Sequence, residues 1–368
     1  MDLGVDVGGT FTDFVGFRGR DVLTAKIPSS PDPGVAVLEG VRALQGSSMT
    51  HGTTVATNAI LQRRGARTAF VTTAGFEDLL VIGRQNRPNL YDLRVARPPP
   101  TVPGERSFGA NERIDAKGRV LRPLTDREVR RIAKLVRASG AESVAICLLF
   151  SFLRPHHEQL LAHAIKGVPV STSHEVLAEF REYERASTTV LDAYIKPLVL
   201  KYLGGLRAAL PRDFLVMRSA GGVATRTSVA HRPADLVLSG PAGGVAAAAV
   251  LSRAARVRNL VTYDMGGTSA DFSAVVNGRP QWTTEAVIDT FPIALPVVDI
   301  ESVGAGGGSY AWLDAGGALR RCVAGRFGPN PHDIVIARLS VDLHGEDDWP
   351  DDDLIACFQF RRLCGGMP

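Results

Sequence analysis

The order of apolar and polar positions predicts a β-hairpin at the start of the chain. A strand-like apolar run occupies residues 3–17, a glycine-containing turn follows at residues 18–20, and a second strand returns over residues 22–27. A proline-punctuated segment then leads into a helical pattern over residues 34–44. Because two strand patterns joined by such a turn are typical of hairpins, we expect a hairpin that leads into a helix.

Strand and helix patterns then alternate. A hydroxyl-rich strand end at residues 50–54 precedes a helix over residues 56–64 and a strand over residues 68–72. This alternation predicts a parallel sheet. Further along, we expect a helix between a capping box at Thr125 and a stop at Gly140. A buried strand, a helix and a strand follow over residues 144–152, 156–165 and 168–171.

Residues 84–123 interrupt the alternation. The segment contains three consecutive prolines at residues 98–100 and carries no regular period. Long irregular segments inside a domain are often functional, so we expect a loop on the substrate side of the fold. Arg84 and Arg87 could bind a carboxylate or phosphate there through their planar guanidinium groups, although a solvated loop is the favoured interpretation.

The second half of the chain returns to the same order of elements. A long helix is predicted over residues 184–210, with Pro197 inside it, followed by a strand over residues 214–219. A glycine turn and an alanine-rich helix that ends near Ala255 come next. The whole pattern predicts an α/β protein.

Composition narrows the class of protein. With 45% hydrophobic and 22% charged residues, a chain of 368 residues is long enough for two globular domains. No stretch approaches the roughly 18–20 apolar residues of a spanning helix, and no basic-then-apolar leader opens the chain. We therefore expect a cytoplasmic protein with no membrane contact.

The small net charge of +4 and the scattered basic residues disfavour a nucleic-acid partner. The four cysteines form no CxxC pair, which disfavours zinc or a disulfide scaffold.

One nine-residue pattern occurs twice. The template D-x-G-G-T-x-x-D-F fits the segments that begin at Asp6 and at Asp264, 258 residues apart, with six of nine positions identical. Each copy follows an apolar lead-in, so we expect two related domains. Paired glycines let the backbone approach a ligand with its amides exposed, and such amides bind phosphate.

The repeat supplies candidates for phosphate and metal binding. Carboxylates are preferred Mg²⁺ ligands, so Asp6 and Asp264 are the candidate metal ligands, directly or through water, with turn capping as the alternative. Asp13 and Asp271 are expected to support the hairpins instead. The candidate phosphate-binding positions are the glycines and threonines of the two copies, namely Gly8, Gly9, Thr10, Thr12, Gly266, Gly267 and Thr268.

A second polar cluster surrounds His51 at the hydroxyl-rich strand end. Its imidazole could orient a substrate carbonyl or transfer a proton, and a structural histidine is an equally weighted alternative. Thr53, Thr54 and Asn58 join it as candidate catalytic residues. The histidines at residues 156, 157 and 163 match no familiar metal-binding spacing.

Duplicated hairpins of this type, each opening an α/β domain, resemble the superfamily of actin, the heat-shock ATPases and the sugar kinases. Five motifs in order narrow the resemblance to the hydantoinase A and 5-oxoprolinase family. They are GVDVGGTFTD, THGTTVATN, LSGPAGG, DMGGTS and GAGGGS, which begin at residues 4, 50, 238, 264 and 304. A sugar kinase is less favoured because it leaves the second and fifth motifs unexplained.

The resemblance implies an ATP-dependent enzyme that phosphorylates the carbonyl oxygen of a cyclic amide, such as a hydantoin or 5-oxoproline, so that water can open the ring. It implies ATP and Mg²⁺ as cofactors and a hydantoinase B-type partner chain. Two alternatives stay open. One is a subunit of an acetone-type carboxylase, which activates a ketone or enolate, and the other is an impaired fragment that only binds a partner.

The resemblance also implies the division of the chain. We expect an N-terminal domain over residues 1–180, the first part of a second domain over residues 181–320, and a divergent tail over residues 321–368. The tail contains three of the four cysteines and an acidic run, and it shows no clear period. A truncated or frameshifted reading frame would give such a tail, leaving the second domain incomplete and lowering the affinity for ATP.

Overall fold

The computed structural model describes residues 1–8, 11–30, 32–86, 99–210, 212–265, 270–288, 291–303, 309–313, 319–323 and 357–358. The chain divides into two compact units. The first comprises Met1–Ala242 and Thr283–Val297, and the second comprises Gly243–Trp282 and Val298–Pro368. The expected domain limits near residues 180 and 320 stay a prediction, and most of the expected tail lies outside the described residues.

The helices in the described residues are α1 (Pro33–Ala43), α2 (Val55–Leu61), α3 (Leu79–Ile82), α4 (Asp126–Ala138), α5 (His156–Ala164), α6 (Ser173–Val176), α7 (Glu182–Ala209), α8 (Arg226–His231) and α9 (Ser239–Ala255), with 3₁₀ turns at Gly104–Arg106 and Pro233–Leu236. The strands are β1 (Asp2–Val7), β2 (Phe11–Arg18), β3 (Asp21–Pro28), β4 (Ser48–Thr53), β5 (Thr68–Thr73), β6 (Ser107–Ala110), β7 (Arg113–Ile114), β8 (Val120–Arg122), β9 (Ser143–Cys147), β10 (Val170–Thr172), β11 (Leu215–Met217), β12 (Val223–Thr225), β13 (Leu260–Met265), β14 (Ala270–Val276), β15 (Arg279–Pro280), β16 (Trp282–Thr283), β17 (Ala286–Ile288), β18 (Phe291–Ile293), β19 (Val297–Val298), β20 (Glu301–Val303), β21 (Ser309–Leu313), β22 (Leu319–Val323) and β23 (Cys357–Phe358).

A six-stranded mixed sheet with the order β12-β11-β4-β1-β2-β3 lies in the first unit. The predicted hairpin with its turn at residues 18–20 is observed as β2 and β3, but the single first strand predicted over residues 3–17 is divided into β1 and β2, which pair antiparallel. Alternate residues of β1, which are Leu3, Val5 and Val7, are buried, because successive side chains of a strand point to opposite faces. These residues share a core with Phe14 of β2 and with apolar residues of α7. Burial of this face fixes the register of the hairpin.

A second sheet of the first unit has the order β10-β9-β5-β6, and its strands are all parallel. Parallel pairing is thus present as predicted, but β4 and β5, the two strands whose alternation with a helix predicted it, lie in different sheets. All five residues of β9 are buried, as expected for a central parallel strand. The strand ends at Cys147, earlier than predicted, because the chain turns through Phe150, whose φ is 56°.

Residues 84–123 are more regular than the sequence indicates. Residues 87–98 lie outside the described part of the chain, but β6 follows them and pairs with β5, and β7 pairs with β8. The prediction of an irregular segment was therefore wrong for residues 107–122. A four-residue strand that contains Gly109 and Ala110 carries little β-propensity of its own, so its pairing with β5 decides its structure.

The second unit contains the repeated hairpin. In it, β13 pairs antiparallel with β14, β14 pairs with β15 and β20, and β23 lies parallel to β13. Asp264 is opposite Asp271, and in the first unit Asp6 is opposite Asp13. The two copies of the motif thus form hairpins of identical register, as duplicated domains require. Within the described residues, no helix has the length and apolar character needed to cross a bilayer.

Candidate functional site

The candidate site lies at one edge of the six-stranded sheet. Strands β1, β4 and β11 are adjacent and parallel, so their carboxyl ends meet at the same edge. Asp6 is opposite Gly52, and Val7 is opposite Thr53. In open α/β sheets, ligands bind beyond the carboxyl ends of the strands. The motifs at residues 4–13 and 50–58 therefore meet where that rule expects a ligand.

Side-chain hydrogen bonds join the motifs at this edge. Thr54 Oγ1 donates to the carbonyl oxygen of Val7 at 3.1 Å. Ser239 Oγ, at the start of α9, donates to the carbonyl oxygen of Thr53 at 3.0 Å. The amide of Leu238 donates to Thr57 Oγ1 at 2.9 Å. Hydroxyls of the second motif thus link β1 to the third motif, which lies more than 180 residues away in sequence.

Asp6 is exposed at the end of β1, and glycines leave room around its carboxylate. A Cβ atom on Gly52 would lie 3.1 Å from Asp6 Oδ1, and one on Gly240 would lie 3.7 Å from it. Asp264 is likewise exposed, at the equivalent position of the second hairpin. No group of three or more His, Cys, Asp or Glu side chains that could hold a metal occurs in the described ranges.

An exposed carboxylate at the turn end of the first strand of each hairpin fits Mg²⁺ better than it fits a metal held by protein ligands alone. Mg²⁺ usually keeps several waters and takes one or two carboxylates together with phosphate oxygens. Asp6, in the first unit, and Asp264, in the second, would each contact Mg²⁺ in that way. Their role as metal ligands stays a prediction.

The hairpin turn of the first unit is braced by its own hydrogen bonds. The amide of Gly8 donates to the carbonyl oxygen of Phe11 at 3.0 Å, so this amide is used within the turn. Thr12 is fully buried, and its hydroxyl lies 3.2 Å from Ser29 Oγ, which in turn donates to the carbonyl oxygen of Gly8 at 2.8 Å. Thr12 therefore supports the shape of the turn. Gly9, Thr10, Gly266, Gly267 and Thr268 lie outside the described residues.

His51 is fully buried beneath this edge. Its Nε2 lies 2.7 Å from Tyr202 Oη, and its ring packs against Tyr202 and Phe214. Burial lowers the pKa of His51 to about 4, although the backbone carbonyl of Val5 partly offsets this shift. The ring is therefore neutral near pH 7. Nδ1 is buried and makes no hydrogen bond of normal geometry with any described residue.

The other candidate catalytic residues follow His51 at the end of β4 and in α2. Thr53 is buried, and its hydroxyl accepts a hydrogen bond from the amide of Val55 at 3.2 Å. Asn58 Nδ2 donates to Thr54 Oγ1 at 3.2 Å, and both side chains are half-buried. Thr54 and Asn58 thus contact each other and are nearer to solvent, whereas His51 and Thr53 are buried. Their catalytic roles stay a prediction.

Several other predicted residues have structural partners. The guanidinium of Arg84 makes a bidentate pair with Glu184, at 2.7 and 2.6 Å, which also raises the pKa of Arg84. Asp13 pairs with Lys26 on the adjacent strand, and Asp271 accepts a hydrogen bond from Ser302 at 2.6 Å. Both aspartates therefore brace their hairpins. Arg87 lies outside the described residues.

Sequence reasoning missed a cluster at the end of β11. Arg218 directly follows this strand, and its Nη2 lies 3.2 Å from Asp235 Oδ2. Arg232 contacts the same carboxylate through two hydrogen bonds of 2.9 and 3.0 Å. An arginine between a strand and a Gly-Gly turn is the signal that could have identified it.

Comparison with known proteins covers most of the chain. The family model of the hydantoinase/oxoprolinase N-terminal region matches residues 2–168, and the hydantoinase/oxoprolinase model matches residues 185–326. The acetophenone carboxylase gamma subunit of Aromatoleum aromaticum is 34% identical over 351 residues, which cover 85% of this chain and 48% of that protein. The 5-oxoprolinase of Saccharomyces cerevisiae is 32% identical over 370 residues, which cover 83% of this chain and 28% of that protein.

A solved structure has the same fold. The crystal structure of ATP-dependent caprolactamase from Pseudomonas jessenii aligns with a TM-score of 0.79 and 30% identity, covering 89% of this chain and 51% of that one. The predicted fold class, an α/β architecture of the actin and sugar-kinase type with duplicated domains, is confirmed. The chain spans about half, or less, of the length of these relatives.

Proposed function

The chain belongs to the hydantoinase/oxoprolinase family, and on that premise we propose that it is the A component of an ATP-dependent enzyme that hydrolyses a cyclic amide. The observation that carries the proposal is the convergence of three motifs at the carboxyl edge of β1 and β4, beside the exposed carboxylate of Asp6. ATP, when bound, would supply the phosphoryl group that makes the carbonyl carbon of the amide susceptible to water.

The residues of the chain have distinct tasks in this proposal. Asp6 in the first unit and Asp264 in the second would each contact Mg²⁺ through an exposed carboxylate, and the hydrogen bonds of Gly8, Thr12 and Ser29 brace the hairpin that carries Asp6. Thr54 and Asn58, which are hydrogen-bonded to each other, orient the amide carbonyl. His51, whose lowered pKa keeps it neutral, has a supporting role through its contact with Tyr202 rather than donating a proton. A neutral support keeps the edge free of a positive charge that would compete with Mg²⁺.

The proposal includes a partner and a location. The related carboxylase chain is itself named as a subunit, and a hydantoinase B-type chain is the proposed partner here. Because the chain spans about half of its relatives, the complete reaction is proposed for the assembly that contains it. We place that assembly in the cytoplasm.

Steady-state ATP turnover tests the proposal. The chain is combined with a B-type partner, and ADP release is measured with 5-oxoproline, a hydantoin, or acetone and acetophenone. We expect a cyclic amide to stimulate turnover, and stimulation by a ketone alone would instead support the carboxylase alternative. Asp6→Asn should lower kcat about 100-fold or more, because a metal-bound transition state loses a charged ligand.

Asp21→Asn is the matched control, because Asp21 is an exposed carboxylate on β3 of the same sheet, at the turn between β2 and β3, where it faces Arg18 across the strands. It should leave turnover unchanged. Equal effects of the two substitutions, or no stimulation by any cyclic amide, would contradict the proposed function.

A further inference from the structure

Tyr202, on α7, lies on the core side of the candidate edge. His51 and Thr53 alternate with Gly52 along β4, and both side chains point into the core. Asp6 is opposite Gly52, so its carboxylate points to the other face of the sheet. Tyr202 therefore acts on the edge through its neighbours in the core and not through a ligand beside Asp6.

The contacts of His51 define its tautomer. Its Nε2 lies 2.7 Å from Tyr202 Oη. Burial lowers the pKa of His51, and a contact with the backbone carbonyl of Val5 partly offsets this. Because Nε2 faces Tyr202, it is Nδ1 that faces this carbonyl, outside normal hydrogen-bond geometry. A carbonyl only accepts, and a neutral imidazole has one donor and one acceptor nitrogen. The proton therefore belongs on Nδ1, and Nε2 accepts the hydroxyl proton of Tyr202.

The Tyr202 hydroxyl has a second partner in Thr53. Burial raises the pKa of the Tyr202 phenol, and a hydrogen bond with the Thr53 side chain partly offsets this. A hydrogen bond that lowers the pKa of a phenol stabilises its charged form, so Thr53 is the donor. Thr53 Oγ1 in turn accepts from the amide of Val55 at 3.2 Å. The donors thus run in one direction, from the amide of Val55 to the imidazole of His51.

This chain of hydrogen bonds begins in the first turn of α2. The N-terminal amides of a helix have no partner within the helix, and the side chain of Thr54, at the N-cap, supplies none. Thr53 supplies the acceptor for Val55 instead. The same turn holds Asn58, whose amide donates to the carbonyl oxygen of Thr54 at 2.8 Å and whose Nδ2 donates to Thr54 Oγ1 at 3.2 Å. The orientation of Thr54 and Asn58 therefore depends on the Thr53 hydroxyl.

We propose that Tyr202 is a positioning residue of the candidate site. Its hydroxyl holds His51 in the tautomer with the proton on Nδ1, and it orients the hydroxyl of Thr53. Thr53 in turn fixes the turn that carries Thr54 and Asn58. The effect on catalysis rests on the proposed function, whereas the tautomer does not. Because burial lowers the pKa of His51 and raises that of Tyr202, both groups stay neutral, and the chain orients side chains rather than transferring a proton.

Nitrogen NMR of the full chain with isotope-labelled histidine tests the tautomer. The two neutral tautomers give different pairs of ring-nitrogen shifts, and comparison with His51→Gln assigns the signals. We expect wild-type His51 to show one neutral tautomer near pH 7, protonated on Nδ1. Tyr202→Phe removes only Oη and should give a mixture of the two tautomers. A wild-type ring protonated on Nε2, or an unchanged tautomer in Tyr202→Phe, would overturn the inference.

Kinetics test the positioning role. ADP release by the chain with its B-type partner is measured with the cyclic amide that stimulates the wild type. Tyr202→Phe should lower kcat about 10-fold and change the KM for ATP less than about 2-fold, because it misorients groups around the carbonyl. In an Asn58→Ala background the same substitution should lower kcat less than about 2-fold, because the residue through which it acts is gone. Equal losses in both backgrounds would show a general loss of structure and overturn the positioning role.

Tyr194→Phe is the matched control. Tyr194 is half-buried on the same helix, and within the described residues no hydrogen bond joins its hydroxyl to another group. Its substitution should leave the tautomer of His51 and kcat unchanged, and an equal fall of kcat in both tyrosine variants would contradict the inference.

The tautomer separates this inference from the proposed function. Should no cyclic amide stimulate ATP turnover by the wild-type assembly, the proposed function fails. The NMR measurement on the full chain still decides whether Tyr202 positions His51. The wild-type spectrum needs no variant, so a wild-type ring protonated on Nε2 overturns the inference even if Tyr202→Phe fails to fold.

Discussion

The buried carboxylate of Glu158 offers a quantitative test of what stabilises the first unit. Glu158 lies on α5 and is fully buried. Its Oε1 accepts hydrogen bonds from the amide of Leu148 at 2.9 Å and from Ser173 Oγ at 2.7 Å. Its Oε2 accepts from the amide and from Nδ1 of His174, at 3.1 and 2.7 Å. One carboxylate thus joins the end of β9 to the first turn of α6.

Removing this carboxylate leaves four donors without their acceptor. Truncating one member of a buried charged network typically costs about 3–5 kcal/mol, so Glu158→Ala should lower the free energy of unfolding by that amount. In a unit of more than 200 residues, 1 kcal/mol corresponds to about 2–4 °C, which predicts a fall in Tm of about 6–20 °C. Glu158→Gln keeps the shape but turns two donors toward His174, and it should cost about 2–3 kcal/mol.

Thermal and urea unfolding followed by circular dichroism measure these values. Glu142→Gln is the control, because Glu142 is half exposed and pairs with Arg67 at the surface, where an ion pair contributes at most about 1 kcal/mol. A Glu158→Ala protein whose stability lies within 1 kcal/mol of the control would refute the reasoning, since the four hydrogen bonds would then contribute no more than a surface pair.

Two further predictions concern pH and the metal. Burial lowers the pKa of His174, but the hydrogen bond and charge of Glu158 more than offset this and raise it above the ordinary value of 6.5. The resulting stability should be fully present below about pH 6.5 and be lost as the pH rises through the raised pKa, and pH-dependent urea unfolding should show no such loss in Glu158→Gln. Gly52→Ala, whose Cβ would lie 3.1 Å from Asp6 Oδ1, should raise the Mg²⁺ concentration needed for half-maximal ATP turnover about 10-fold. Gly240→Ala, at 3.7 Å from the same atom, should leave that concentration unchanged, and an equal rise in both variants would contradict a metal contact by Asp6.

The elements with a strong local signal could be predicted from the sequence. The N-cap at Thr125 is observed, since Thr125 Oγ1 accepts a hydrogen bond from the amide of Glu128 at the start of α4, whereas the carboxylate of Glu128 accepts from the amide of Asn111 and from Arg131. The hairpins and the long helix were also identified, because their periodicity and glycine turns are encoded within each segment. The short strand β6 was missed because its pairing with β5, and not its own residues, determines it.

The candidate site could be predicted only in part for a similar reason. The motifs identify Asp6, Thr54 and Asn58 as candidates from the sequence alone. The burial of His51 and the bracing role of Thr12 depend on neighbours that are distant in sequence. Arg218 carries no motif of its own. Its contact with Asp235, which Arg232 shares, depends on residues that come together only in the folded chain.

The identical register of the two hairpins has an evolutionary consequence. Each position of the first hairpin has a counterpart 258 residues later, so differences between the copies record divergence after a duplication. Thr12, whose hydroxyl braces the first turn, corresponds to Ala270, which is equally buried and has no hydroxyl. The two hairpins therefore share one backbone pairing but differ in the side chain at this position, which is polar and hydrogen-bonded in the first copy and apolar in the second.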